Sequence, residues 1–152
     1  MRRIIIADTS CLILLSKINE LDLLKKTYGQ ITTTLDIVIE FGETLPDWIV
    51  IESVIDQSIQ EDLETKIDKG ESSAIALALE NKNSILILDD FKARKVAEKL
   101  NLTVTGTLGV MVKAKLLGII PSVKPLLNKI KATNFRISAE LETEILESAN
   151  EL

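Results

Sequence analysis

Ile4-Ile5-Ile6-Ala7-Asp8-Thr9-Ser10 decides the fold: an unbroken apolar run, mostly β-branched, that stops at an acid followed by two hydroxyls. The pattern returns at Ser84-Ile85-Leu86-Ile87-Leu88, which stops at Asp89-Asp90. A short run that is apolar at every position reads as a strand buried on both faces, as in a parallel sheet. The intervening segments carry helical patterns. They read as helices over Ser10–Lys17, Glu20–Tyr28 (capped by Asn19), Leu35–Phe41 (capped by Thr34), Ser58–Lys69 and Ser72–Asn81, with Gly70 ending the fourth. Further on come Lys92–Leu100, Leu108–Leu117, Pro121–Lys131 and Ala139–Ala149, the last capped by Ser138. Gln30–Thr33, Trp48–Ser53 and Leu102–Val104 complete the strands. Strands alternating with helices make an α/β fold with a parallel sheet covered on both faces. The chain shows no linker or repeat, so the expectation is a single domain over residues 1–152.

In such a sheet, ligands lie beyond the carboxyl ends of the strands. Asp8, Asp89 and Asp90 fall there. Several carboxylates at one sheet end repel one another and resist ionisation unless a cation joins them. Mg²⁺ or Mn²⁺ suits that role, because these ions take hard oxygen ligands and need only a few carboxylates. Two further acids belong to the candidate set. Glu71 opens an Ala-rich helix, where an acid also complements the helix dipole. Glu40 lies near the end of Leu35–Phe41, where an ordinary surface role is the simpler account. Asp8 could equally cap the helix that follows it, as could Thr9 or Ser10.

Composition removes most alternatives. The 152 residues include no histidine and one cysteine, Cys11. Histidine-based acid–base chemistry, Ser-His-Asp hydrolysis, a disulfide framework and most zinc sites are thereby excluded. Cys11 sits in an apolar run and reads as core. Gly106-Thr107-Leu108-Gly109 could offer backbone N–H groups to a phosphate, yet it has neither a Walker pattern nor a dinucleotide fingerprint, and reads better as a tight helix start. Arg2-Arg3 before the first strand imitates the start of a signal peptide, but Asp8 interrupts the apolar run and no cleavage site follows. A cytoplasmic protein without membrane spans is expected.

The net charge of −5 conceals an uneven distribution. Residues 36–90 sum to −11, while residues 91–136 sum to +9. The basic stretch keeps an anionic partner open despite the acidic total. With five aromatic residues in the chain, an aromatic base-stacking platform is not expected.

Together, Ile4–Ser10, Val38-Ile39-Glu40-Phe41, Gly70–Ala78, Ile87–Arg94 and Val104–Gly109 resemble the PIN-domain nucleases, the family that includes VapC-type toxins. In order and spacing these motifs cover nearly the whole chain, and the match is nearest to a functionally little-characterised subgroup of archaea and bacteria. The resemblance implies a three-layer α/β/α fold and a ribonuclease acting on single-stranded RNA with Mg²⁺ or Mn²⁺. Asp8 and Glu40 match the family's first two acids. Glu71 stands where the family usually has aspartate, one methylene shorter. The last acid is Asp89 or Asp90, with Asp90 preferred. Thr9 and Ser10 would support the first acid. Asp8, Glu71 and Asp90 would hold the metal, and Lys92, Arg94, Lys95, Lys113 and Lys115 would meet RNA phosphates. Arg94 could instead pair with a carboxylate of the site. The resemblance further implies a homodimer and, for toxin members, an antitoxin protein.

Two other readings compete. One is a catalytically weak PIN-like module that binds protein or RNA, with Leu141, Ile145 and Leu146 of the acidic last helix offering a surface; those residues could equally dock on their own domain. The other is a phosphoacceptor receiver domain, but there the acidic pair should follow the first strand and the single aspartate a later one.

Overall fold

The computed structural model describes residues 3–152; Met1 and Arg2, part of the basic pair ahead of the first strand, lie outside the described residues. Five strands form one parallel sheet: β1 (Ile4–Ala7), β2 (Ile31–Thr34), β3 (Ile49–Glu52), β4 (Ser84–Ile87) and β5 (Thr103–Thr105), in the order β3-β2-β1-β4-β5. β1 is central, with Ile4–Ala7 in register with Ser84–Ile87 on one side and Ile6 opposite Thr32 on the other. From β1 the chain winds to one edge through β2 and β3, then crosses back to continue through β4 and β5. The reversal lies between β1 and β4, where open sheets of this kind bind ligands.

Helices flank the sheet as expected of an α/β PIN-like fold. They are α1 (Thr9–Lys17), α2 (Asp22–Tyr28), α3 (Leu35–Phe41), α4 (Gln57–Leu63), α5 (Lys69–Glu80), α6 (Phe91–Lys99), α7 (Thr107–Leu116), α8 (Lys124–Lys131) and α9 (Ala139–Ser148). α5 packs on β1, β2 and β4, whereas α2 contacts β2 and α7, and α7 contacts α9. Ile6, Leu86 and Ile87 from the strands and Leu12, Leu15, Ile75 and Met111 from the helices are fully buried between them. Burying each such side chain contributes roughly 1.5–3 kcal/mol. Cys11 is buried in this core, and desolvation drives its thiol pKa well up, so it is an inert core residue. Among the described residues no helix is long and apolar enough to cross a membrane.

Local signals moved several boundaries. The helix expected over Ser58–Lys69 is α4, which ends at Leu63, and the next helix begins at Lys69 rather than Ser72. Asp68 forces the new start: its carboxylate accepts the Glu71 N–H at 2.7 Å, while Glu71 accepts the Asp68 N–H at 3.3 Å. This capping box makes Gly70 part of the first turn instead of a terminator. Asn19 does not cap α2. It closes α1 from the left-handed region at φ 59°, a conformation asparagine tolerates. The segment from Pro121 becomes helical only at Lys124, with Pro125 in the first turn, where its missing N–H costs nothing. Thr34 and Ser138 do cap α3 and α9, through bonds from Ile37 N–H and Leu141 N–H.

Candidate metal centre

Beyond the carboxyl ends of β1 and β4 opens a cleft of about 450 Å³ lined by Asp8, Thr9, Ser10, Ile13, Glu40, Asp68, Glu71, Asp89 and Asp90. All five acids singled out in the sequence meet there. Asp68 joins them, and the sequence reading missed it; its signal was the spacing Asp68-x-x-Glu71, which marks a capping box.

The β1 side presents bare oxygens. Asp8 occupies the N-cap position of α1, yet its side chain makes no capping hydrogen bond, so the cap role does not account for it. It is 3% exposed, and its Oδ1 has no hydrogen-bond partner. Burial pushes its pKa up to about 7; the Thr9 backbone N–H opposes this, and the charges of Glu71, Asp68 and Glu40 add to it. Thr9 Oγ1 and Ser10 Oγ are likewise buried without partners. Glu71 is 9% exposed, and burial, then Asp68 and Asp90, push its pKa up to about 7 as well. Its place in the capping box gives it the helix-terminal role expected of an acid there, while its carboxylate still borders the cleft.

Glu40 is brought in by a chain of small residues. The Ser73 hydroxyl donates to Gly70 O at 2.7 Å and lies 2.6 Å from the Thr34 hydroxyl. This ties the start of α5 to the end of β2, and with it the turn beneath Glu40. At Gly70 a Cβ would stand 2.8 Å from Glu40 Oε1 and 3.4 Å from Thr9 Oγ1. Only glycine lets the Glu40 carboxylate settle so close to the α5 backbone.

At the β4 side the acids are already engaged. Asp89 accepts from Thr107 N–H at 2.8 Å and from Thr107 Oγ1–H at 2.6 Å, so each of its oxygens has a donor. The helix start at Gly106–Gly109 is therefore a tight junction whose N–H is taken by the protein's own carboxylate. Asp90 caps α6 through one oxygen, which accepts from Ala93 N–H at 2.9 Å. Asp90 lines the cleft, and its charge helps raise the Glu71 pKa.

The basic residues separate into two groups. Lys92 and Lys95 are exposed on α6, with Lys95 Nζ 4.8 Å from the centre of the Phe91 ring. Lys113 instead sits over Tyr28 at 4.8 Å, and Lys115 donates to Ala149 O at 2.8 Å while pairing with Glu151. Both are committed to packing α7 against its neighbours. Arg94 Nη1 donates to Leu88 O at 3.2 Å, and among the described residues it makes no ion pair. α9 docks on its own domain, with Ile145 buried and Leu141 and Leu146 against the core.

A family model, DUF3368: PIN domain, matches residues 4–151. The chain belongs to the PIN-domain family. No curated protein and no solved structure gives a match. PIN domains are in general metal-dependent nucleases, so membership supports a nuclease-like role and a divalent ion. The residues of this PIN domain fit such an ion. The cleft offers hard oxygen donors, three of them buried and unpartnered at Asp8, Thr9 and Ser10. Among the described residues no three carboxylates are drawn together as a ready-made cage. Carboxylates gathered at one sheet end repel one another when no cation joins them.

Proposed function

We propose that this PIN domain is a Mg²⁺- or Mn²⁺-dependent endoribonuclease that hydrolyses phosphodiester bonds of single-stranded RNA. The observation that carries the reading is the buried, partnerless Oδ1 of Asp8 in a cleft that Glu40, Glu71, Asp89 and Asp90 also line. Leaving such groups unsatisfied costs stability, which a bound cation recovers. Asp8, Glu71 and Asp90 would hold the ion, and Glu40 and the Thr9 and Ser10 hydroxyls would orient its remaining ligands. Bound there, a divalent ion supplies an activated water and stabilises charge on the phosphoryl oxygens. Asp89 acts one step back, by fixing the β4 end against α7.

Lys92 and Lys95 follow Asp90 on the exposed surface of α6 and would neutralise substrate phosphates. Phe91, directly after Asp90, is 71% exposed, and the ring face that Lys95 does not cover is one on which a base can stack. Lys113 and Lys115 leave the substrate track, being used within the fold.

The same reading includes partners. Leu35 and Ile39 are 55% and 69% exposed on α3, and Ile13 is exposed at the cleft. Apolar surface of this kind supports a homodimer or an antitoxin covering the site, as in a toxin–antitoxin pair. Cleavage of a generic single-stranded RNA with Mn²⁺, compared between the wild type and Asp8→Asn, tests the function. Metal-dependent cleavage lost in the variant supports it. Equal cleavage by both proteins would overturn the site, and no cleavage by either hands the case to the catalytically weak binding module.

A further inference from the structure

A second cleft, of about 340 Å³, adjoins the acidic one and shares Asp89 as its dividing wall. Its lining is largely apolar, from Val104, Leu108, Phe135, Leu141 and Ile145, with Thr105, Gly106 and Gly109 beside them. The glycines keep it open. A Cβ on Gly106 would stand 2.7 Å from Arg94 Nη1, and one on Gly109 would collide with the Thr105 hydroxyl. Arg94 and Asp89 supply the charged part of the lining, both bordering the Cβ position of Gly106. The Arg94 guanidinium is partly buried, spends one donor on Leu88 O and has no carboxylate partner among the described residues. A guanidinium has five N–H donors, so most of its edge is left for an acceptor from outside.

We propose that this cleft is a base-binding subsite selective for guanine, taking the nucleotide next to the phosphate that is cut. The ligand class rests on the ribonuclease reading; the preference rests on the cleft. Single-stranded RNA is read by turning unstacked bases into apolar sites and hydrogen-bonding their edges. Guanine alone among the bases offers O6 and N7 as two adjacent acceptors, the pair that a guanidinium matches. The acidic α9 beside the cleft, with Glu140 and Glu144 next to Leu141 and Ile145 in sequence, disfavours a phosphate there and favours a neutral base. Arg94 is thus assigned to base recognition instead of phosphate contact.

The test is a protein-observed NMR titration of GMP, AMP, CMP and UMP into the full chain, without added metal. GMP should bind at least ~10-fold more tightly than the others, the scale of one good bidentate contact, and shift the amides of Gly106, Leu108 and Gly109. Arg94→Gln should erase the preference, and Leu141→Trp, which fills the cleft and leaves Arg94 intact, should erase binding even if the first variant folds poorly. Equal binding of all four nucleotides, shifts confined to the acidic cleft, or undiminished GMP binding in Leu141→Trp would overturn the subsite. A protein that cuts no RNA yet prefers GMP at these amides loses the nuclease reading and keeps the subsite.

Discussion

The two strand ends that border the acidic cleft are built from similar sequence but to opposite designs. β1 ends in Asp8, Thr9 and Ser10, and each leaves a buried oxygen without a partner. β4 ends in Asp89 and Asp90, and each finds donors at once, on Thr107 or Ala93. One side carries unsatisfied polarity that a ligand can relieve. The other is a clasp that holds two strands and two helices in place. Acids adjacent in sequence to identical apolar runs thus have different work, and only partner geometry distinguishes them.

The comparison can be broken most strongly at Asp8. Asp8→Asn should lose Mn²⁺ binding by calorimetry and reduce RNA cleavage at least ~10³-fold, since metal assistance is worth several kcal/mol. The same substitution should stabilise the metal-free protein above pH 7. Folding raises the Asp8 pKa from 3.8 to about 7, so between those values the folded state holds a proton that the unfolded chain has released. That stabilisation is complete below pH ~4 and is lost as pH rises through 7. Asp8→Asn should flatten this fall by up to roughly 4 kcal/mol in metal-free denaturation curves taken from pH 4 to 8. A curve as steep as that of the wild type would mean that Asp8 is not the strained group.

On the clasp side, Thr107→Val removes one hydroxyl from Asp89 and should cost about 1–3 kcal/mol of stability by denaturant titration. Its Mn²⁺ affinity should fall far less than that of Asp8→Asn. A loss of metal binding equal to that of Asp8→Asn, with stability intact, would make Asp89 a ligand and erase the contrast. Gly70→Ala sharpens the comparison from a third direction. The clash falls on the flexible end of Glu40, and alanine is the better helix former by up to ~1 kcal/mol, so stability should hold or rise slightly. Cleavage should nevertheless drop, because Glu40 is pushed from its seat. The smallest effect is expected at Phe91→Ala: about 1 kcal/mol weaker binding of single-stranded RNA by fluorescence anisotropy, with metal affinity unchanged.

Much of this architecture could be read from the residues because the strands are extreme. Ile4–Ala7 and Ser84–Ile87 are apolar almost throughout, and a strand buried on both faces has little other solution. The strand-end acids followed from the same runs. What could not be read were features fixed by distant partners. Asp90 is preferred over Asp89 on sequence, but the physical ground for that choice lies in Thr107, eighteen positions on, which takes both Asp89 oxygens. Lys113 and Lys115 looked like free phosphate contacts until Tyr28 and Ala149 claimed them. Gly70 read as a stop because glycine commonly ends helices, and the reason for it here is the approach of Glu40 from another element.

The register of β1 also has a consequence for how the protein is made. Ile4 pairs with Ser84, so the central strand leaves the ribosome well ahead of one of its two neighbours. Long-range parallel pairings form slowly, because loop closure must precede any contact they reward. On the ribosome, Asp8 cannot face Asp90 until β4 has emerged and paired with β1. A nascent fragment that stops short of β4 therefore carries no assembled acidic cleft.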